Sequence, residues 1–155
     1  MAAALKTEAP GTAWIVATGA LTNVGALIRK HPELAAHVKG LSVMGGSIGG
    51  GFSDAPLGKV DGRERVGNYT PYAEFNILVD PEAAAELFAN EVLAPKTVVA
   101  PLDLTHQVLA TEEVRSLLLH GKGAVNGDKA DDGKGKTTLR TMLVELLYFF
   151  AHTYA

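Results

Sequence analysis

The sequence predicts an α/β fold, an open and mostly parallel sheet with flanking helices. Three observations lead there. Short apolar runs rich in β-formers recur along the chain, each bounded by glycine or proline. Stretches with helical periodicity and recognisable start signals stand between them. The resulting alternation of strand and helix implies parallel strands joined by right-handed crossovers.

The elements follow in order. Ala13-Trp14-Ile15-Val16-Ala17 is a buried strand. Thr22 or Asn23 is expected to cap a helix over 24–30, with Val24, Ala26, Leu27 and Ile28 as its apolar stripe. His31-Pro32 ends it, and one or two further helical turns occupy 33–38. The second strand, 41–44, is broken by Gly45-Gly46. Residues 47–73 are too polar and glycine-rich for a core element, and ordered loops of this length are usually binding loops or lids. Asp80-Pro81-Glu82 starts a helix: Asp as N-cap, Pro at the first position, Glu on the positive end of the dipole. That helix runs to about Asn90. The third strand spans 96–100 and Pro101 closes it. Thr111-Glu112-Glu113 opens a helix reaching His120, residues 121–137 read as a flexible surface loop, and 138–154 as a long apolar helix.

The totals narrow the function. A chain of 155 residues suffices for one domain, 1–155, with a real core. A net charge of −3 gives no general pull toward nucleic acid or an anionic membrane. With no cysteine there is no disulfide, thiolate metal site or cysteine nucleophile. The start, Met1-Ala2-Ala3-Ala4-Leu5-Lys6, lacks a signal-peptide core, and no apolar run reaches the ~20 residues of a membrane span. A soluble, cytoplasmic protein is expected.

Ligands of such sheets bind at the carboxyl ends of the strands. Thr18, Met44-Gly45-Gly46 and Pro101-Leu102-Asp103 all fall there. The loop leaving the second strand returns through Asn68, Glu74 and Asn76, three hydroxyl-gripping side chains within nine positions. Two amides and a carboxylate suit a ligand rich in hydroxyls, and a sugar is the natural candidate. Local roles in loop geometry are the alternative for these residues. Asp103-Leu104-Thr105-His106 could suggest acid–base chemistry, but the favoured reading is local, Asp103 capping a turn and His106 bonding backbone. Gly133-Lys134-Gly135-Lys136-Thr137-Thr138 only mimics the end of a phosphate loop, because Ala130 stands where that motif needs glycine.

The run Gly67-Asn68-Tyr69-Thr70-Pro71-Tyr72-Ala73-Glu74-Phe75-Asn76, with Val16-Ala17-Thr18-Gly19-Ala20-Leu21-Thr22-Asn23 and Val43-Met44-Gly45-Gly46, resembles the inosine/uridine-preferring nucleoside hydrolase family. The likeness covers about 13–120, the middle of a longer, Rossmann-like domain. It implies cleavage of ribonucleosides to base and ribose, with calcium as cofactor. It implies ribose contacts from Asn68, Glu74, Asn76 and Met44, and a calcium contact from the backbone carbonyl of Thr18. An oligomeric state is a further implication, which an incomplete sheet would favour.

The chain departs from the family in two places. The family's Asp-x-Asp-x-x-x-Asp-Asp cluster is not found among Asp54, Asp61, Asp80, Asp103, Asp128, Asp131 and Asp132, and there is no His-Asp dipeptide. The strand carrying the cluster is expected before residue 1. No catalytic residue can therefore be assigned, and the isolated chain is expected to be inactive. A non-catalytic ribose or nucleoside binder, or a structural remnant of the fold, is the alternative.

Overall fold

A computed structural model describes residues 1–121 and 137–154. The chain divides into two compact units, 1–107 and 108–155. The surface loop expected over 121–137 lies, apart from its first and last residues, outside the described residues.

The first unit is built on three parallel strands. β1 (Trp14–Ala17), β2 (Gly40–Met44) and β5 (Thr97–Ala100) stand in the order β1-β2-β5. Ile15 pairs with Leu41, Ala17 with Val43, and Val43 in turn with Val99. Side chains alternate between the faces of a strand, so Ile15, Ala17, Leu41 and Val43 share one face, and all four are buried. The helices α2 (Thr22–Lys30), α3 (Glu33–His37) and α5 (Pro81–Phe88) bring Val24, Leu27, Ile28, Leu34, Ala83, Ala84 and Leu87 into the same core. α2 packs closely on α5: a β-carbon on Gly25 would stand 2.9 Å from the Ala83 β-carbon. Arg29 and Glu86 pair across their outer sides. The opposite sheet face carries Trp14, Val16 and Val98, all exposed.

The predicted strands are present within a residue of their expected ends. Asp80 caps α5 as expected, its Oδ1 accepting from Ala83 N at 2.9 Å. The start of α2 differs: its N-cap is Leu21, with no side-chain cap bond, and the Thr22 hydroxyl is engaged with Asp80 instead. Three α-helices appear where none was expected: α1 (Ala2–Thr7), α4 (Phe75–Val79) and a short one directly after β5. The 47–73 loop also contains a small antiparallel hairpin, β3 (Lys59–Val60) with β4 (Arg63–Glu64). A short helix, α6 (Leu102–Thr105), follows β5 directly.

The second unit is a helical pair, α7 (Glu112–His120) and α8 (Thr138–Tyr154). Thr111 caps α7 through Val114 N. Arg115 of α7 lies over the Tyr148 ring of α8, 5.0 Å from its centroid. Among the described residues no helix is long and apolar enough to cross a membrane.

Candidate functional site

The site grows from the carboxyl end of β2. Met44 closes the strand, and the chain then turns through Gly45 and Gly46. Gly45 N donates to Ala100 O at 3.2 Å and Leu102 N to Gly46 O at 3.0 Å, so the ends of β2 and β5 are stitched together. The register Ala17–Val43 puts Thr18 and Met44 side by side, each one step past a paired residue. Thr18 is exposed there.

The returning end of the loop is bonded to this floor. Asn76 Nδ2 donates to the Met44 carbonyl at 3.1 Å and lies 3.1 Å from the Met44 sulfur. The Glu74 carboxylate accepts from Gly46 N at 2.9 Å, Asn76 N at 3.0 Å and Ile77 N at 3.1 Å. Glu74 is thus the N-cap of α4 as well as a tie to β2. Glutamate is not a usual cap, which is why the sequence reads as loop here. Only 4% of Glu74 is exposed, so backbone N–H groups, and not solvent, surround its oxygens.

Asn68 sits one step before this tie. Its Oδ1 accepts from Phe75 N at 2.9 Å, and its carbonyl accepts from Arg65. Val66 N and Gly67 N both donate to Pro71 O, folding 66–73 back on itself. Gly67 is buried against that fold, and a β-carbon there would stand 2.2 Å from Ala73 O. Tyr69 meets Phe75 edge-on at 5.5 Å. Of the residues that sequence reasoning placed together, Asn76 is bonded to Met44 and Glu74 to Gly46 at the end of β2, whereas Asn68 is exposed and bonded to Phe75 N and Arg65.

The outgoing end of the loop is held by a residue given only a local role from sequence. Asp103 is 2% exposed. Its carboxylate accepts from Ile48 N at 2.7 Å, Gly49 N at 2.8 Å and Ser47 Oγ at 3.2 Å. Burial alone, the largest influence, would raise its pKa. The bonds from Ile48, Gly49, its own backbone N–H and Ser47 together outweigh it, and the carboxyl is held below its ordinary value. His106 is the C-cap of α6, its backbone N donating to Leu102 O. Neither residue forms an acid–base pair with the other.

A cleft of about 660 Å³ borders the site. Ile48, Phe52, Ile77, Phe88, Val99 and Leu104 give it apolar walls, and Gly45 and Gly46 join it to the β2 end. The four expected ribose contacts are not among its lining residues.

The donor set does not amount to a calcium site. Calcium takes six to eight oxygens. Thr18 offers one carbonyl, Asp103 spends its oxygens on Ser47, Ile48 and Gly49, and Asp80 caps α5. Among the described residues no three His, Cys, Asp or Glu gather where they could hold a metal.

Comparison with known proteins gives these features a context. The profile of the inosine-uridine preferring nucleoside hydrolase family matches residues 1–155. The uridine nucleosidase of Saccharomyces cerevisiae is 36% identical over 141 residues, 90% of this chain and 34% of that protein. The pyrimidine-specific ribonucleoside hydrolase RihA of Salmonella newport is 41% identical over 100 residues, 64% of this chain and 26% of that one. The structure of an inosine-uridine preferring nucleoside hydrolase from Bacillus anthracis superposes with a TM-score of 0.52 at 26% identity, covering 74% of this chain and 33% of that one. The chain therefore spans about a third of the length of the relatives it matches.

Proposed function

The chain belongs to the inosine-uridine preferring nucleoside hydrolase family, and on that premise we propose that it carries the ribose-recognising part of a site that hydrolyses the N-glycosidic bond of ribonucleosides. The observation that supports this most is the bond from Asn76 Nδ2 to the Met44 carbonyl. Engaging the amide nitrogen fixes the side chain and turns its Oδ1 into an oriented acceptor for a sugar hydroxyl. Met44 supplies an apolar wall for the furanose, and Asn68 a second amide. Glu74 holds the arrangement from behind. Its Oε1 accepts from one backbone N–H and keeps capacity for a hydroxyl.

Rigid donors and acceptors of this kind position a sugar, and their bonds can tighten as positive charge grows on the ring. They do not activate water. We therefore assign binding and orientation to this chain. Calcium, the cofactor implied by the family likeness, would need most of its ligands from residues other than those described. Thr18 would contribute one.

Calorimetric titration of the chain with ribose and with a ribonucleoside tests the reading. Binding is expected, weakened about tenfold or more by Asn76→Ala, the size of one lost oriented hydrogen bond. Incubation with calcium and an activated ribonucleoside should release no ribose above the blank. Robust turnover would show that the chain holds the catalytic half too. Absence of binding to a folded chain would favour the structural-remnant alternative.

A further inference from the structure

We propose that Arg65 and the Asn68 amide form a phosphate subsite beside the sugar residues, so that a ribonucleoside 5′-monophosphate is a ligand of this chain; the inference rests on the ribose reading of Asn76 and Met44. The backbone around Arg65 is fixed on both sides. Its own N–H donates to Gly58 O at 3.0 Å, and that of Val66 to Pro71 O at 2.8 Å. The guanidinium leans on the turn that carries Asn68, Nη2 donating to the Asn68 carbonyl at 2.6 Å. Among the described residues no carboxylate pairs with it, and its chain neighbour Glu64 is paired with Lys59. Its Nε is shut off from water and has no acceptor. A half-buried guanidinium with one desolvated N–H and no counter-charge is costly, and an anion beside it offsets that cost.

The amide beside it has the same one-sided chemistry. Asn68 Oδ1 is spent on Phe75 N at 2.9 Å, and nothing among the described residues engages Nδ2. Asn68 is exposed, so the N–H donors of that nitrogen stay open to a ligand. The two side chains thus offer donors and no free acceptor. That suits a phosphate better than a hydroxyl, which also has a proton to donate. The 5′ oxygen of a ribonucleoside stands one carbon off the furanose ring. A phosphate there reaches farther than one on the 2′ or 3′ oxygen, and it leaves the vicinal hydroxyls free for Asn76. Charge alone would not draw it in, since the chain carries a net −3. Glu74, the acidic group of the same turn, is buried and accepts from three backbone N–H groups, which offset its charge.

Calorimetric titration of the full chain with uridine, uridine 5′-monophosphate, uridine 3′-monophosphate and inorganic phosphate is the test. The 5′-monophosphate is expected to bind about tenfold or more tightly than uridine, the size of one charge-assisted hydrogen bond. That ratio should shrink as salt rises. It should fall to about one in Arg65→Gln and persist in Lys59→Gln. Uridine is titrated into each variant as its own reference, so a disturbed sugar site does not mimic the effect. Inorganic phosphate should displace the 5′-monophosphate and leave uridine in place. Uridine bound, with its 5′-monophosphate bound no tighter, overturns this inference and leaves the ribose reading standing. Binding of neither by a chain with native circular dichroism overturns both. Equal tightening by the 3′-monophosphate, displacement of uridine by phosphate, or a ratio kept in Arg65→Gln also overturns the subsite.

Discussion

The root and the tip of the 47–73 loop differ in what their charged groups hold. At the root, Asp103 and Glu74 are 2% and 4% exposed, and the longest-range of their bonds reach residues 56 and 28 positions away. At the tip, Lys59 and Glu64 pair across the β3–β4 hairpin at 3.7 Å with both side chains 67% exposed. Water and salt screen the second pair, which makes it worth little. The buried carboxylates instead replace water for several backbone N–H groups at once. A carboxylate near a strand end in this chain is therefore first an architectural device, and the residues proposed to bind the sugar inherit their geometry from it.

The largest expected effect tests that directly. Asp103→Ala leaves Ile48 N and Gly49 N buried without their acceptor, and Glu74→Ala does the same for Gly46, Asn76 and Ile77. Each should cost about 3 kcal/mol in urea unfolding, and Lys59→Ala at the tip should stay within about 0.5 kcal/mol. Similar losses at root and tip would erase the distinction.

Acid sharpens the same contrast through Asp103 alone. Its folded pKa lies below the ordinary carboxyl value near 3.9, so the folded state binds its proton less readily than the unfolded chain does. The sign follows from that: its stabilising contribution is complete above the unfolded value and is lost as pH falls through the lower, folded one. Melting temperatures of wild type and Asp103→Asn, followed from neutral pH down past 3.9, should converge. Glu33, Asp80 and Glu113 also have lowered pKa values, from bonds to Lys6, to Thr22 and to their own backbone respectively, but they are solvated and should leave little trace. A gap between wild type and variant that stays constant with pH would mean that the Asp103 charge is not what holds the loop.

Much of this was legible in the sequence wherever the signal is local. Asp80-Pro81-Glu82 states a cap, a first helical residue and a dipole partner within three letters, and the helix begins there. The strands announced themselves through apolar runs ended by glycine or proline. What stayed hidden depends on long-range partners. Glu74 reads as a free hydroxyl-gripping carboxylate until Gly46, Asn76 and Ile77 are seen around it. Asp103 reads as a local cap, although it holds a turn more than fifty residues earlier. Thr22 reads as a helix cap because nothing local shows that Asp80 engages its hydroxyl. The joining of Asn76 to Met44 could be anticipated, since both positions fall at one end of the second strand.

The tip offers the smallest effect and the sharpest local signal, one that a reading of 47–73 as plain loop passes over. Val60 pairs with Arg63 around Asp61-Gly62, and both central residues have positive φ, 51° and 74°. This is a two-residue hairpin turn of the type that favours Asp-Gly. Asp61→Ala puts a side chain without a local hydrogen bond into the left-handed region, at a cost of about 1 kcal/mol. Asp61→Gly relieves the backbone and should be neutral within about 0.5 kcal/mol. The informative measurement is amide exchange read at both ends of the loop. Protection should fall at Arg65, whose N–H donates to Gly58 O beside the hairpin, and stay unchanged at Ile48, Gly49 and Ile77. If loosening the hairpin also released those three, the tip and root would form a single cooperative unit, and the carboxylate anchors would not be what isolates the root, the proposed sugar-binding end, from the rest of the loop.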